Sequence, residues 1–230
     1  IFINKLSLIK TVRLFTGVSG GLSGSVSVTF PEGLSLAQTK NILVGKNFKA
    51  QELDLLRARQ FSKNFDFLQD TPADATLEGF LFPDTYNFFA EATSSEIAEA
   101  MLSNFAKKFP ANVREAISLQ KKNTFQVITM ASMLEREAKT SADMQIISGI
   151  LWKRLEQGVL LQADATLGYV TGHTSHELTR EDLALDSPYN TYRHYDLPPG
   201  PICSPGLKSI MAAASPADGK WMFFVVAGDN

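Results

Sequence analysis

The stretch ASMLEREA, residues 131–138, closes the run TFQVITMASMLEREA that starts at Thr124. The run contains no Gly or Pro, is rich in helix formers and follows the polar string KKNT, so a helix with Asn123 or Thr124 as its N-cap is expected. At about 100° per residue, Val127, Ala131, Leu134 and Ala138 share one stripe with Ile128 at its edge, which predicts a buried face. Glu135 falls inside that apolar arc, whereas Glu137 lies on the other side with Gln126 and Met130. A carboxyl among aliphatic neighbours loses hydration, which favours its protonated form and suits a general acid near neutral pH. The same position also suits a structural carboxylate, paired with an Arg or capping a neighbouring helix. The helix wheel leaves both readings open.

The chain has 230 residues and is 44% hydrophobic, enough for a substantial core in one large domain or in one domain with a smaller companion. Lys and Arg number 22 against 24 Asp and Glu, a formal charge of −2, so no electrostatic case exists for nucleic acid. Cys203 is the single cysteine, which excludes an internal disulfide and leaves the compartment open. No stretch reaches the roughly 18 apolar residues of a membrane span. The opening IFINKLSLIKTVRLF carries three basic residues and reads as a short amphipathic helix. With no initiating Met and no signal-peptide pattern, the chain reads as a piece of a longer protein. WMFFVVAGDN at the other end reads as a strand over 222–227 and a turn.

Between these ends, GVSGGLSGS reads as a flexible connection, SVSVTF as a strand, PEG as a turn and LSLAQTKNIL as a helix capped by Ser35. AQELDLLRARQ predicts another helix, and the polar DTPADAT, residues 70–76, is the candidate domain boundary. LEGFLFPDTYNFF, residues 77–89, is aromatic-rich and reads as a strand or extended loop with a Pro-Asp turn. SSEIAEAMLSNFAKKF predicts a helix capped by Ser94 or Ser95, with Lys107 and Lys108 facing its C-terminal dipole. SADMQIISGILWKRLEQG predicts a helix ending at Gly158. From Val159 onward the chain reads as loop-rich apart from a short helix around Lys208–Ala214 and the final strand.

Several chemistries are excluded. There is no phosphate-cradling Gly-rich loop and no GxGxxG after a strand. His173, His176 and Glu177 in HTSHE sit in a turn-like polar loop and not on a helix, and a solvated loop is preferred to a metal site. Nothing calls for a metal or a cofactor. The stretch SPYNTYRHYDLPPGPICSPG is more informative, because five prolines in twenty residues fix a long irregular backbone. Tyr189, Asn190, Thr191 and Tyr192 combine flat apolar rings with amide and hydroxyl groups, as sugar-binding surfaces do, although an Asn-Thr turn with packed tyrosines fits equally. Gln162 and Asp164 stand nearby as further polar contacts or turn caps.

ASMLEREA, LEGFLFPDTYNF, LLQADAT, SPYNTY and LPPGPICSPG, in this order, resemble the endolytic murein transglycosylase family, the YceG-like lytic transglycosylases of bacteria, from about Val26 to the end. In that family the first Glu of the block resembling ASMLERE is catalytic, and it matches Glu135. The resemblance implies cleavage of the β-1,4 bond between N-acetylmuramic acid and N-acetylglucosamine to leave a 1,6-anhydro end, terminating nascent glycan strands. It implies that Gln162, Asp164, Tyr189, Asn190, Thr191 and Tyr192 line the glycan cleft, that Glu78, Asp84 and Tyr86 buttress it, and that Glu137 orients loops. Its expected partners are peptidoglycan strands and peptidoglycan synthases, the penicillin-binding proteins. Its expected location is the bacterial cytoplasmic membrane, reached through a single N-terminal span absent from this chain, with the catalytic part facing the cell wall. The implied fold is α+β: a shortened LysM-like module over 1–72, then a larger mixed helical, loop-rich catalytic domain over 73–230 with short strands. A noncatalytic wall-binding scaffold for synthases is the rival expectation.

Overall fold

The computed structural model describes residues 24–174 and 177–224. The helix expected over the first fifteen residues, most of the Gly/Ser connection and the end of the expected final strand lie outside them; Met222–Phe224 are described and are not in a strand. Strand β1, Ser25–Thr29, leads through the PEG turn into helix α1, Leu36–Gly45. Ser35 caps α1 by accepting from the Gln38 N–H, and the Gln38 side chain returns to the Ser35 N–H, so the expected cap is a full capping box. Strand β2, Thr85–Phe89, pairs antiparallel with β1 in the register Ser25 to Phe89 through Thr29 to Thr85. Alternation puts Val28, Tyr86 and Phe88 into the core, where Phe30 and Phe48 meet them edge-on or tilted. The pairing links the first segment to residues beyond the polar stretch at 70–76.

The helix expected over AQELDLLRARQ is instead two 3₁₀ turns, Leu53–Leu55 and Ala58–Gln60, separated by an extended Leu56. The cause is local. The Arg57 guanidinium donates to the carbonyls of Asp54, Leu55 and Leu56, which are acceptors that an α-helix would need. Leu53 and Ala58 both reach the core from this irregular path.

Helix α2, Ser94–Lys108, is capped by Thr93 and not by either expected serine, with Glu96 closing the box. Ser94 is buried and donates to the Lys49 carbonyl. Helix α3, Ala111–Leu119, was not expected; it is a short amphipathic element with Val113 and Ile117 inward. Helix α4, Thr124–Glu137, is capped by Asn123 as expected. The predicted one-sided stripe does not hold on it. Val127, Ile128, Met130, Ala131, Met133 and Leu134 are all fully buried, so the middle of the helix runs through the core and only its first and last turns emerge. Helix α5, Ser141–Glu156, ends as expected, with Gly158 at φ +64°.

Two further helices replace expected loop: α6, Asp164–Thr171, and the single turn α7, Arg180–Leu183. Helix α8, Leu207–Ala214, packs on α4 more extensively than any other helix does, and on α5. The Trp152 indole N–H on α5 donates to the Ala213 carbonyl at 3.0 Å, fixing this contact. No helix among the described residues is long and apolar enough to cross a membrane. The class is α+β, with one two-stranded sheet set against a helical body.

Candidate active site

The site is assembled where α4 leaves the core. A buried strap, Pro201–Gly206, runs alongside that helix. The Ser132 hydroxyl accepts from the Ile202 N–H at 3.0 Å, and the Cys203 thiol donates to the Ser132 carbonyl. One turn further along α4, the Gly206 N–H donates to Glu135 Oε2 at 2.9 Å, and the Ser209 hydroxyl, at the start of α8, donates to the same oxygen at 2.5 Å. Glu135 is half-buried, wetter than its place in an apolar arc predicts, because the last turn of α4 has already cleared the core. Both hydrogen bonds fall on one carboxylate oxygen and fix its orientation.

Glu137 is also half-buried. Burial pushes its carboxyl above the ordinary value, the Ala165 N–H at 3.5 Å opposes this, and the charge of Asp164 adds to the rise. Asp164 opens α6 and accepts a short hydrogen bond from the Tyr192 hydroxyl. Gln162 is exposed, with a left-handed φ of +52°, and its N–H donates to the Thr191 carbonyl. Gln162, Asp164, Tyr192 and Glu137 therefore stand on adjoining segments.

The YNTY loop divides into two kinds of residue. Asn190 is fully buried: its amide nitrogen donates to the carbonyls of Leu183 and Leu185, and its Oδ1 accepts from the Tyr192 N–H. Thr191 is buried, and its hydroxyl accepts from the Ala163 N–H and meets Thr166. These two side chains hold the loop together. Tyr189 and Tyr192 are half-buried and keep part of their surface open, with the Tyr189 ring against Tyr169 at 5.1 Å between centroids.

Glu78 is the dry carboxyl of this part of the molecule, at 6% exposure. Both of its oxygens approach the Leu36 N–H in the first turn of α1, at 2.9 and 3.0 Å, and Oε2 accepts from the Tyr169 hydroxyl at 3.1 Å. Burial pushes its pKa up to about 7, against the pull of these donors. Glu78 thus ties the N-terminus of α1 to Tyr169, and through that ring to Tyr189.

Asp84 and Tyr86 form a separate latch on Asn104 of α2. Asn104 donates to Asp84 Oδ2 at 3.0 Å and to the Tyr86 hydroxyl at 2.9 Å, and that hydroxyl donates to the Phe82 carbonyl. Burial acts to raise the Asp84 carboxyl, but the donors Asn104, Thr85 and Lys108 outweigh it and hold it below the ordinary value. In HTSHE, His173 pairs with Asp182 at 3.0 Å, while His176 lies outside the described residues. No group of three metal-ligating side chains occurs among the described residues.

The model of the YceG-like family matches residues 6–230. The chain belongs to the YceG-like family. Within it, the chain is similar to the endolytic murein transglycosylase of Bacillus subtilis, 36% identical over 155 residues, covering 67% of this chain and 43% of that protein. It is also similar to the endolytic murein transglycosylase of Streptococcus pneumoniae, 28% identical over 221 residues, covering 86% of this chain and 40% of that protein. The chain therefore spans about two-fifths of the length of these relatives. Among solved structures it resembles a YceG-like protein from Listeria monocytogenes, with a TM-score of 0.73 at 29% identity, covering 87% of this chain and 69% of that one.

Four residues at this site of the family fold escape a reading of the sequence: Glu32, Tyr169, Gly206 and Ser209. Glu32 is visible in the sequence only as the middle of a turn. Gly33, at φ +81°, directs that turn against α4, where a Cβ on Gly33 would meet Glu135 Cγ at 3.7 Å. The Gly33 N–H donates to the Ser204 carbonyl, and the Ser204 N–H donates to the Leu34 carbonyl, so the turn is bound to the strap. A Pro-Glu-Gly turn beside a strand carries no local mark of this long-range contact.

Proposed function

We propose that the chain is the glycan-cleaving part of an endolytic lytic transglycosylase, with Glu135 as its acid and base. Protonated Glu135 donates to the glycosidic oxygen as the bond from N-acetylmuramic acid to N-acetylglucosamine breaks. The resulting carboxylate takes the proton of the muramyl C6 hydroxyl as that oxygen bonds to the anomeric carbon. Glu135 ends protonated, no water is consumed, and the product carries a 1,6-anhydro end. The observation that carries this reading is the held but accessible Glu135 carboxyl: Gly206 and Ser209 fix one oxygen while the side chain keeps access to solvent. The printed names of the relatives point the same way.

In this reading Tyr189, Tyr192, Gln162 and Asp164 border the glycan, Asn190 and Thr191 hold that border in shape, and Glu137 orients α6. Glu78 supports Tyr189 through Tyr169, while Asp84 and Tyr86 brace the sheet from farther back. The proposal extends to a LysM-like role for residues 1–72 beside a catalytic unit over 73–230, to termination of nascent strands, to contact with peptidoglycan synthases, and to single-pass attachment at the cytoplasmic membrane facing the wall.

Digestion of purified glycan strands, read by mass spectrometry of the new ends, tests the enzyme reading against a noncatalytic scaffold. Anhydro-ended fragments are expected, and Glu135→Gln is expected to lower their rate of formation by about 10²-fold or more. Equal product from both proteins contradicts the assignment, and reducing ends in place of anhydro ends indicate a hydrolase.

A further inference from the structure

Glu32 belongs to the site by geometry, although the residue is exposed. An alanine Cβ on Gly206 would lie 1.8 Å from Glu32 Oε1 and 2.2 Å from Glu32 Cδ, so the carboxyl of Glu32 occupies the space that a side chain at 206 would take. The N–H of the same Gly206 donates to Glu135 Oε2. One glycine therefore stands between two carboxyls that are far apart in sequence and come from the β1–α1 turn and the end of α4. Glycine at 206 leaves room for the Glu32 carboxyl in this position; a Cβ there would push that carboxyl aside.

We propose that Glu32 is a positioning residue of the reaction, its carboxyl meeting that of Glu135 at Gly206 and acting on it through charge. This inference rests on the function proposed above. The groups facing the pair are Lys208 of α8 on the Glu32 side and, around Glu135, Ser209, the Gly206 N–H and the buried Cys203 thiol of the strap, with Arg136 against Gly33. Burial of the Glu32 carboxyl raises its hold on a proton, the charge of Glu135 raises it further, and Lys208 opposes both. Two like charges brought together keep the first proton more firmly than either acid alone. The consequence for the chemistry is that the charge of Glu32 acts on the acid proposed to react, so its removal should be read in the pH profile of cleavage. The turn that follows β1 is then part of the reacting centre, and the strap residue Ser204 holds it there.

The test combines two measurements on the same proteins. Carboxyl carbons of Glu are followed by NMR against pH without substrate, and kcat/KM for cleavage of purified glycan strands is measured against pH. In the unaltered protein the pair is expected to titrate in two separated steps. In Glu32→Gln the remaining acid titrates in one step, and the basic limb of kcat/KM moves to lower pH by about one unit. Glu32→Asp restores most of the two-step behaviour, and Lys208→Met moves the upper step and the basic limb to higher pH by a smaller amount. These two variants keep the test decisive if Glu32→Gln folds poorly. A single titration step in the unaltered protein, or a basic limb that stays in place while only the amplitude falls, overturns the pair and leaves Glu32 a structural residue. If no cleavage occurs with any protein but the two-step titration is present, the function proposed above fails and the pair stands.

Discussion

Glu135 and Glu78 are both carboxyls at the joint between the β1–α1 segment and the helical body, and they differ in almost every physical respect. Glu78 is sealed, receives its donors from the backbone of α1 and from Tyr169, and is pushed up to a pKa of about 7 by burial. Glu135 is half-open, and its donors are a glycine N–H and a serine hydroxyl on the strap and α8. Dryness alone would select Glu78 as the reacting acid. Access favours Glu135, the acid proposed above, since a group shut behind α1 and Tyr169 cannot reach a polymer. A desolvated acid is therefore a poor marker of catalysis unless one of its oxygens also faces outward.

The largest expected effect that sharpens this contrast is at Gly79, next to Glu78. Its φ is +85°, and a Cβ there would lie 2.5 Å from Pro201 and 2.9 Å from Ile128. Gly79→Ala is expected to destabilise the fold by about 3–5 kcal/mol in chemical unfolding, from overpacking and left-handed strain together. Little change would mean that the Glu78 region is not the rigid joint described.

Next is the pH dependence of stability contributed by Glu78. Its folded-state pKa is raised from 4.5 to about 7, so the folded protein binds the proton more tightly than the unfolded chain. The stabilising contribution is full below pH 4.5 and is lost as pH rises through about 7. The loss amounts to about 3 kcal/mol at most. Unfolding free energies measured across that window should show this slope in the unaltered protein and lose it in Glu78→Gln. The smallest effect is at the Asp84–Tyr86–Asn104 latch, where Tyr86→Phe is expected to cost about 1 kcal/mol and leave glycan cleavage in place. A large loss of cleavage there would bring the latch into the site.

What the sequence made legible was local. The caps at Ser35 and Asn123, the strand at SVSVT, the left-handed Gly158 and the α4 helix follow from short-range chemistry, and the structure bears them out. The failures had both local and distant causes. Arg57 draws carbonyls out of an expected helix, Thr93 takes the cap from two serines because Ser94 is drawn inward to Lys49, and α6 forms across Gly168. Residue chemistry separated Glu135 from Glu137, and resemblance to the family gave it a role. Neither revealed that a turn more than a hundred positions away, at Glu32, comes to rest beside it. Burial around α4 also differs from the expectation, since periodicity assumes a helix with one wet face and α4 is buried all round from Val127 to Leu134.

The most direct measurement compares initial rates of glycan-strand cleavage by Glu135→Gln and Glu78→Gln, with thermal unfolding of each protein recorded alongside. The account predicts that Glu135→Gln keeps its fold and loses at least about 10²-fold in rate, while Glu78→Gln stays within about tenfold of the unaltered protein. Loss of cleavage in a well-folded Glu78→Gln, with Glu135→Gln still active, would contradict it.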